Sequence, residues 1–246
     1  MYRYQILIEY VGTSYIGWQI QKKGNSIQKT IQLALSKVLG KKIILYGSGR
    51  TDAGVHAVEQ SAHFDIKNKI QNIDRTIKSL NFFLNNKMIS IIKIKKKNIN
   101  FHARHSAKKR IYLYIIQNRL SPSTINKDRE WHIRKKLDLN LIKKGSKKLI
   151  GKHDFSTFRA SNCNAKSPVR TINDIVITKS KNQIKLKFKS KSFLKNQVRS
   201  MVGCLKYVGE KKWNLKEFEK IIKKKDRKQV APPAPACGLY LEKIIY

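Results

Sequence analysis

The chain reads as an α+β protein made of two ferredoxin-like halves. Each half is a β-α-β-β-α-β unit with an antiparallel sheet flanked by helices. Three observations predict this. Short segments alternate apolar and polar residues, other segments repeat apolar residues at helical spacing, and the order of the two kinds recurs after residue 105. The expected boundaries are 1–105 and 106–246, with the seam at Phe101–Ala107. No sequence repeat links the halves, so the duplication is inferred from topology alone.

Tyr4, Ile6, Ile8 and Tyr10 fall on one face of a strand over 2–10, with Arg3, Gln5 and Glu9 on the other. Ser26 is placed to cap a helix carrying Ile27, Ile31, Leu35 and Val38, which Gly40 stops. Ile43–Tyr46 and Gln60–Ile66 read as strands, Ile73–Leu84 as a helix and Met88–Ile94 as a strand. The lysines at 93, 95, 96 and 97 read as a solvated strand end. In the second half, Arg110–Gln117 reads as a strand and Asp138–Ile150 as a helix interrupted at Gly145. Ile172–Thr178 and Ile184–Lys189 form a hairpin. Phe193–Val208 and Leu215–Lys224 are helices, and Leu239–Ile245 is a last strand.

At 246 residues, 41% hydrophobic and 9% aromatic, the chain can bury a core and is not of disordered composition. Its formal net charge is +39, from 54 Lys and Arg against 15 Asp and Glu. That field attracts polyanions without regard to sequence, so nucleic acid leads as partner and an acidic membrane surface follows. Abundant Lys, Ile and Asn also fit an AT-rich genome, in which solvated positions drift towards Lys and Asn, so the charge suggests a nucleic-acid partner without proving one. Cys163, Cys204 and Cys237 are scattered and odd in number, which fits a reducing cytosol rather than a disulfide framework. No signal-peptide start is present, and no apolar run reaches the roughly 20 residues needed to span a bilayer. A soluble, cytoplasmic protein is expected.

The stretch Gly47-Ser48-Gly49-Arg50-Thr51-Asp52-Ala53-Gly54-Val55-His56-Ala57 is too glycine-rich to continue a strand. It holds one acid, Asp52, and one base, Arg50. The plain reading is a turn in which Asp52 caps a backbone N–H and Arg50 is solvated. Elsewhere, Arg110, Tyr112 and Tyr114 share one strand face, and an aromatic beside an arginine on an exposed sheet face is suited to stacking an unpaired base. Lys185, Lys187 and Lys189 share a face that is either solvated or turned to phosphates. His102 and His105 lack an accompanying acid or cysteine, which argues against a metal site. A Ser48–His56–Asp52 assembly lacks the strand-to-helix elbow of a hydrolase.

The wording of the glycine loop, continuous from Gly49 to Ala57, resembles the active-site loop of the tRNA pseudouridine synthase A family. Ser106–Tyr114 resembles that family's second motif, and Asn196-Gln197-Val198-Arg199 its third, with Gln197 where methionine is usual. Gly17-Trp18-Gln19, Phe101-His102-Ala103-Arg104, Asp154–Ala160 and Gly238–Leu241 extend the likeness over nearly the whole chain in order.

The resemblance implies a pseudouridine synthase fold and isomerisation of uridine to pseudouridine at nucleotides 38, 39 and 40 of the tRNA anticodon arm. No metal and no cofactor is implied, and the family is homodimeric. Asp52 is the implied catalytic nucleophile, attacking C1′ or the uracil ring or first removing the 2′ proton. Arg199 is implied to keep Asp52 ionised and Tyr112 to stack on the uracil, with Arg110 also on the substrate side. Arg50 is implied to fill the place of the flipped nucleotide or to hold its phosphate. Two rival classes share parts of this pattern. A non-catalytic RNA-binding protein explains the charge but not an acid held among bases, and a metal-dependent nuclease needs clustered carboxylates that the sequence lacks.

Overall fold

The computed structural model describes residues 1–246 as a mixed α/β protein with sheets flanked by helices. It divides into two compact units, Met1–Arg110 with Tyr240–Tyr246, and Ile111–Leu239. The expected seam at 105/106 therefore moves by a few residues, and the final strand returns to the first unit.

The first unit follows the order β1 (Tyr2–Tyr10), α1 (Ile27–Leu39), β2 (Tyr46–Gly47), β3 (His56–Ile66), α2 (Ile73–Leu84) and β4 (Ile89–Lys97). Its strands lie in the order β4-β1-β3-β10, where β10 is Leu239–Ile245, with β2 attached to β3. β1 is antiparallel to both β3 and β4, while β10 runs parallel to β3. Ile6 pairs with Ala62 on one side and Ile94 on the other. Tyr4, Ile6, Ile8 and Tyr10 are buried, as their alternation predicts, along with Ile27, Ile31 and Leu35 of α1 and Leu80 and Leu84 of α2. The Ser26 hydroxyl accepts the Lys29 N–H, and Gly40 ends α1 at φ +66°. Gln5 departs from the expected solvated face. It is buried because its amide donates to the Ser61 hydroxyl at 2.9 Å.

The expected strand over 43–46 is mostly absent. Side chains of α1 take over its backbone groups: Ser36 Oγ accepts the Ile43 N–H, Gln32 Oε1 accepts the Leu45 N–H, and Gln28 donates to the Leu45 carbonyl. A segment whose polar groups are met from a helix has no need of a ladder. Only Tyr46 and Gly47 pair with β3, opposite His63 and Ala62.

In the second unit come β5 (Lys109–Asn118, its first two residues still in the first unit), β6 (Trp131–Ile133), α3 (Leu139–Lys147), β7 (Gly151–Asp154), β8 (Val169–Ser180), β9 (Gln183–Ser190), α4 (Gln197–Gly209) and α5 (Leu215–Lys224). The strand order is β5-β9-β8-β7, with β6 parallel to β5. β6 and β7 are too short for a periodic signal. Ile184, Leu186 and Phe188 of the β8–β9 hairpin are buried, while Lys185 and Lys187 are exposed. Gly145 does not interrupt α3. A Cβ there would stand 3.2 Å from Leu205 Cδ2, so the missing side chain lets α3 approach α4. α4 begins four residues later than its apolar pattern suggests, after Asn196 at φ +61°.

No helix is long and apolar enough to cross a membrane. The three cysteines are free thiols.

Candidate active site

The loop between β2 and β3 is braced from several directions by residues distant in sequence. Ser48 donates its N–H to the Ser61 carbonyl and its hydroxyl to Gln60 Oε1 at 2.9 Å. Gln60 in turn donates its amide to the Gly49 carbonyl, also at 2.9 Å. Further on, the Thr51 carbonyl accepts the Trp18 N–H, and the Thr51 hydroxyl bonds the phenol of Tyr10 at 2.8 Å. The Asp52 carbonyl accepts the Val55 N–H and closes the turn. Ser48, Thr51, Val55 and His56 are buried, Asp52 is half-buried and Arg50 is exposed. The anchors lie under the loop and leave the carboxylate-bearing residue partly open.

Two glycines outside or at the edge of the loop make this bracing possible. Gly17 sits at φ +108°, and a Cβ on it would lie 2.6 Å from the Thr51 carbonyl oxygen. Gly47 faces the Trp18 indole, whose Nε1 would lie 2.5 Å from an added Cβ. The Gly17-Trp18 pair is thus part of the loop's scaffold, a role that sequence spacing does not reveal.

Arg110 enters from the start of β5. Its Nη2 donates to the Ser48 carbonyl at 2.8 Å and to the Arg104 carbonyl at 3.0 Å, tying the Asp52 loop to the segment 101–107. Nearby, the phenol of Tyr246 donates to Ser61 Oγ at 2.7 Å and to the Ala103 carbonyl at 2.9 Å. Burial raises that phenol's pKa, so it stays a donor. Arg110, expected from sequence to be a substrate contact beside Tyr112, thus also bonds two loops to each other.

Ser48 and His56 have partners of their own beside the Asp52 loop. The Ser48 hydroxyl is directed to Gln60, and His56 Nδ1 accepts the Gly12 N–H at 3.1 Å while its ring stacks on Tyr240. No group of three or more His, Cys, Asp or Glu side chains is arranged to hold a metal ion.

In the second unit the face of β5 that carries Tyr112 and Tyr114 is buried, whereas Ile111, Leu113 and Ile115 are half-exposed. The expectation of an open Arg–Tyr face is corrected. Tyr112 meets Phe193 edge-on at 5.2 Å, and the Tyr114 hydroxyl donates to the Pro235 carbonyl at 2.8 Å. Arg199 lies off the apolar face of α4 and is half-buried. Its Nε donates to the Ala234 carbonyl at 2.7 Å, while its own carbonyl accepts the Ala234 N–H at 2.9 Å. Gln197, standing where methionine was expected, is fully buried. Its Oε1 accepts the Leu194 N–H at 2.8 Å and holds the entry to α4.

The sequence model described as tRNA pseudouridine synthase matches residues 6–106 and 146–246. Asp52, Arg50 and Arg199 lie inside those matches, and Arg110 and Tyr112 lie outside them. The chain is 63% identical over 246 residues to the tRNA pseudouridine synthase A of Pelagibacter ubique (strain HTCC1062), covering all of both chains. It is also 42% identical, over all of this chain and 96% of the relative, to the tRNA pseudouridine synthase A of Paramagnetospirillum magneticum (strain ATCC 700264 / AMB-1). A carboxylate-bearing loop built into matching sequence of this extent leads to one conclusion: the chain belongs to the tRNA pseudouridine synthase family of isomerases.

Proposed function

We propose that this protein converts uridine to pseudouridine at positions 38, 39 and 40 of the tRNA anticodon arm, with Asp52 as nucleophile. The observation that carries the reading is the half-buried Asp52 on a loop braced by Trp18, Gln60 and Arg110, in a chain that matches its family from end to end. A carboxylate suits the task because it attacks and then departs. The N1–C1′ bond breaks, the uracil turns, and C5 bonds to C1′. C5 loses its proton to solvent and N1 gains one, so no electron or energy input is needed.

Arg50 is exposed on the same loop and is suited to hold the backbone of a nucleotide flipped from its stem. Tyr112 is assigned to the face of the uracil and Arg199 to keeping the nucleophile ionised, both on the family pattern. Arg110 acts on the substrate through the loop it clamps. Three adjacent target positions call for reading of RNA shape and phosphates, which a net charge of +39 favours. We further infer two ferredoxin-like halves, from the β-α-β-β-α-β order of the first unit, and a homodimer working in the cytoplasm.

The test is positional. Unmodified tRNAs bearing uridine at 38, 39 or 40 are incubated with the protein, and pseudouridine is mapped by carbodiimide adducts and primer extension. Adducts at those positions are expected. Adducts elsewhere would move the site, and their absence from every tRNA would remove the activity.

A further inference from the structure

Tyr46 is the last side chain before the Asp52 loop, and the reaction described above gives it no task. Its ring stacks on His63 with centroids 5.0 Å apart and planes inclined by 20°, yet 45% of the residue remains exposed. The ring is therefore backed on one side and open to solvent elsewhere.

Its backing is rigid. Tyr46 pairs with His63 in the sheet, Leu45 before it is fully buried, and Gly47 after it is fixed against the Trp18 indole. His63 is itself buried, with Nδ1 accepting the Ala103 N–H at 3.2 Å. The aromatic surface continues sideways, since His102 lies edge-on to His63 at 4.7 Å and 6.2 Å from Tyr46. The His102 ring is held in turn by the Arg104 N–H, which donates to its Nδ1 at 3.1 Å. Arg104 and His105 are exposed at the border of this surface. Asp65, an acid on β3 two residues beyond His63, is paired with Arg3 at 2.6 Å. A pre-ordered aromatic platform bordered by an arginine has the chemistry of a single-strand nucleic-acid contact.

We propose that Tyr46 and His102 form an auxiliary stacking site for an unpaired base of the RNA substrate, with Arg104 taking the adjoining phosphate. The proposal rests on the RNA-modifying function and adds to it a contact outside the reacting nucleotide. The reacting base is assigned elsewhere, so this platform holds a neighbour and sets how the anticodon loop lies across the Asp52 loop.

The test compares wild type with Tyr46→Ala and Tyr46→Trp on full-length unmodified tRNA. Kd is read by fluorescence anisotropy, and kcat and KM by tritium release from uracil C5. A series of anticodon-arm RNAs carries 2-aminopurine at each unpaired position. Tyr46→Ala is expected to weaken binding roughly 5- to 150-fold, with KM rising more than kcat falls. Tyr46→Trp restores most of the affinity, and quenching of 2-aminopurine disappears at one loop position in Tyr46→Ala alone. If Tyr46→Ala fails to fold by thermal denaturation, Tyr46→Leu replaces it, since leucine keeps bulk without a π face. A Kd and KM matching wild type in a folded variant would overturn the proposal, as would an equal loss in Tyr46→Trp. Absence of tritium release by wild type would sink the synthase reading instead, and the Kd and quenching data would still decide the platform.

Discussion

The Asp52 loop and the Tyr112–Arg199 region hold their functional side chains in different ways. In the loop, side chains from elsewhere grip the backbone: Gln60 takes the Gly49 carbonyl, Arg110 the Ser48 carbonyl, and Trp18 donates its N–H to Thr51. Around Tyr112 and Arg199, regular secondary structure does the work, with β5 and α4 presenting side chains that neighbours then pack or bond. The difference teaches where each region is fragile. A loop gripped through its carbonyls fails when a distant holder is lost, whereas a helix or strand tolerates loss of a single contact.

The largest effect expected from this contrast is that of Gly17→Ala. It forces a side chain into φ +108° and against the Thr51 carbonyl. Denaturant titration should show a loss of at least about 2 kcal/mol, and tritium release should fall at least about 100-fold. Gly145→Ala in α3 meets a leucine methyl at 3.2 Å and Phe218 and Val208 at an ordinary 3.6 Å, all side-chain atoms, and should leave release near wild type. Similar losses in release from both variants would break the comparison.

Arg110→Met comes next. It removes the bonds to Ser48 and Arg104, and should cost about 1–3 kcal/mol. Because the clamp acts through the loop, kcat should fall about 10-fold while tRNA Kd changes little. A change confined to Kd would return Arg110 to the substrate side.

A pH effect sharpens the same point. Burial, with Arg3 and His102 nearby, lowers the His63 pKa to about 4, while Asp65 works in the opposite direction. The unfolded chain therefore binds the extra proton first. Stability should fall as pH drops from about 6.5 toward 4 and level off below. His63→Gln should flatten that part of the profile, measured by denaturation at each pH.

Two smaller effects concern the second unit. Tyr114→Phe loses the bond to the Pro235 carbonyl and should cost about 1 kcal/mol without changing kcat. Lys185→Gln, on the exposed face of β9, should lower the slope of log Kd against log salt by about 0.7–0.9 if the lysine meets a phosphate. An unchanged slope would mark that face as solvated.

These contrasts also explain what the sequence could reveal. β1, α1, α2 and α5 are legible because a single periodicity operates in each, with Ser26 and Gly40 also marking the ends of α1. The strand over 43–46 misleads because Ile43 and Leu45 are buried while side chains of α1 meet their backbone groups in place of a ladder. Asp52 and Arg50 are legible from a distinctive loop, but Gln60 and Arg110 act through hydrogen bonds to it from distant positions and leave no local pattern. The buried face of Tyr112 and Tyr114 misleads for a related reason. Alternation tells which residues share a face but not which face is covered.

The central claim is that Asp52 performs chemistry. The most direct measurement compares wild type with Asp52→Ala on tRNA tritiated at uracil C5, at matched RNA occupancy. Tritium leaves only when C5 becomes the glycosidic carbon. Release by wild type, loss of at least about 10³-fold in Asp52→Ala and equal binding by both are the predicted result. Release by Asp52→Ala at a rate near wild type would contradict it.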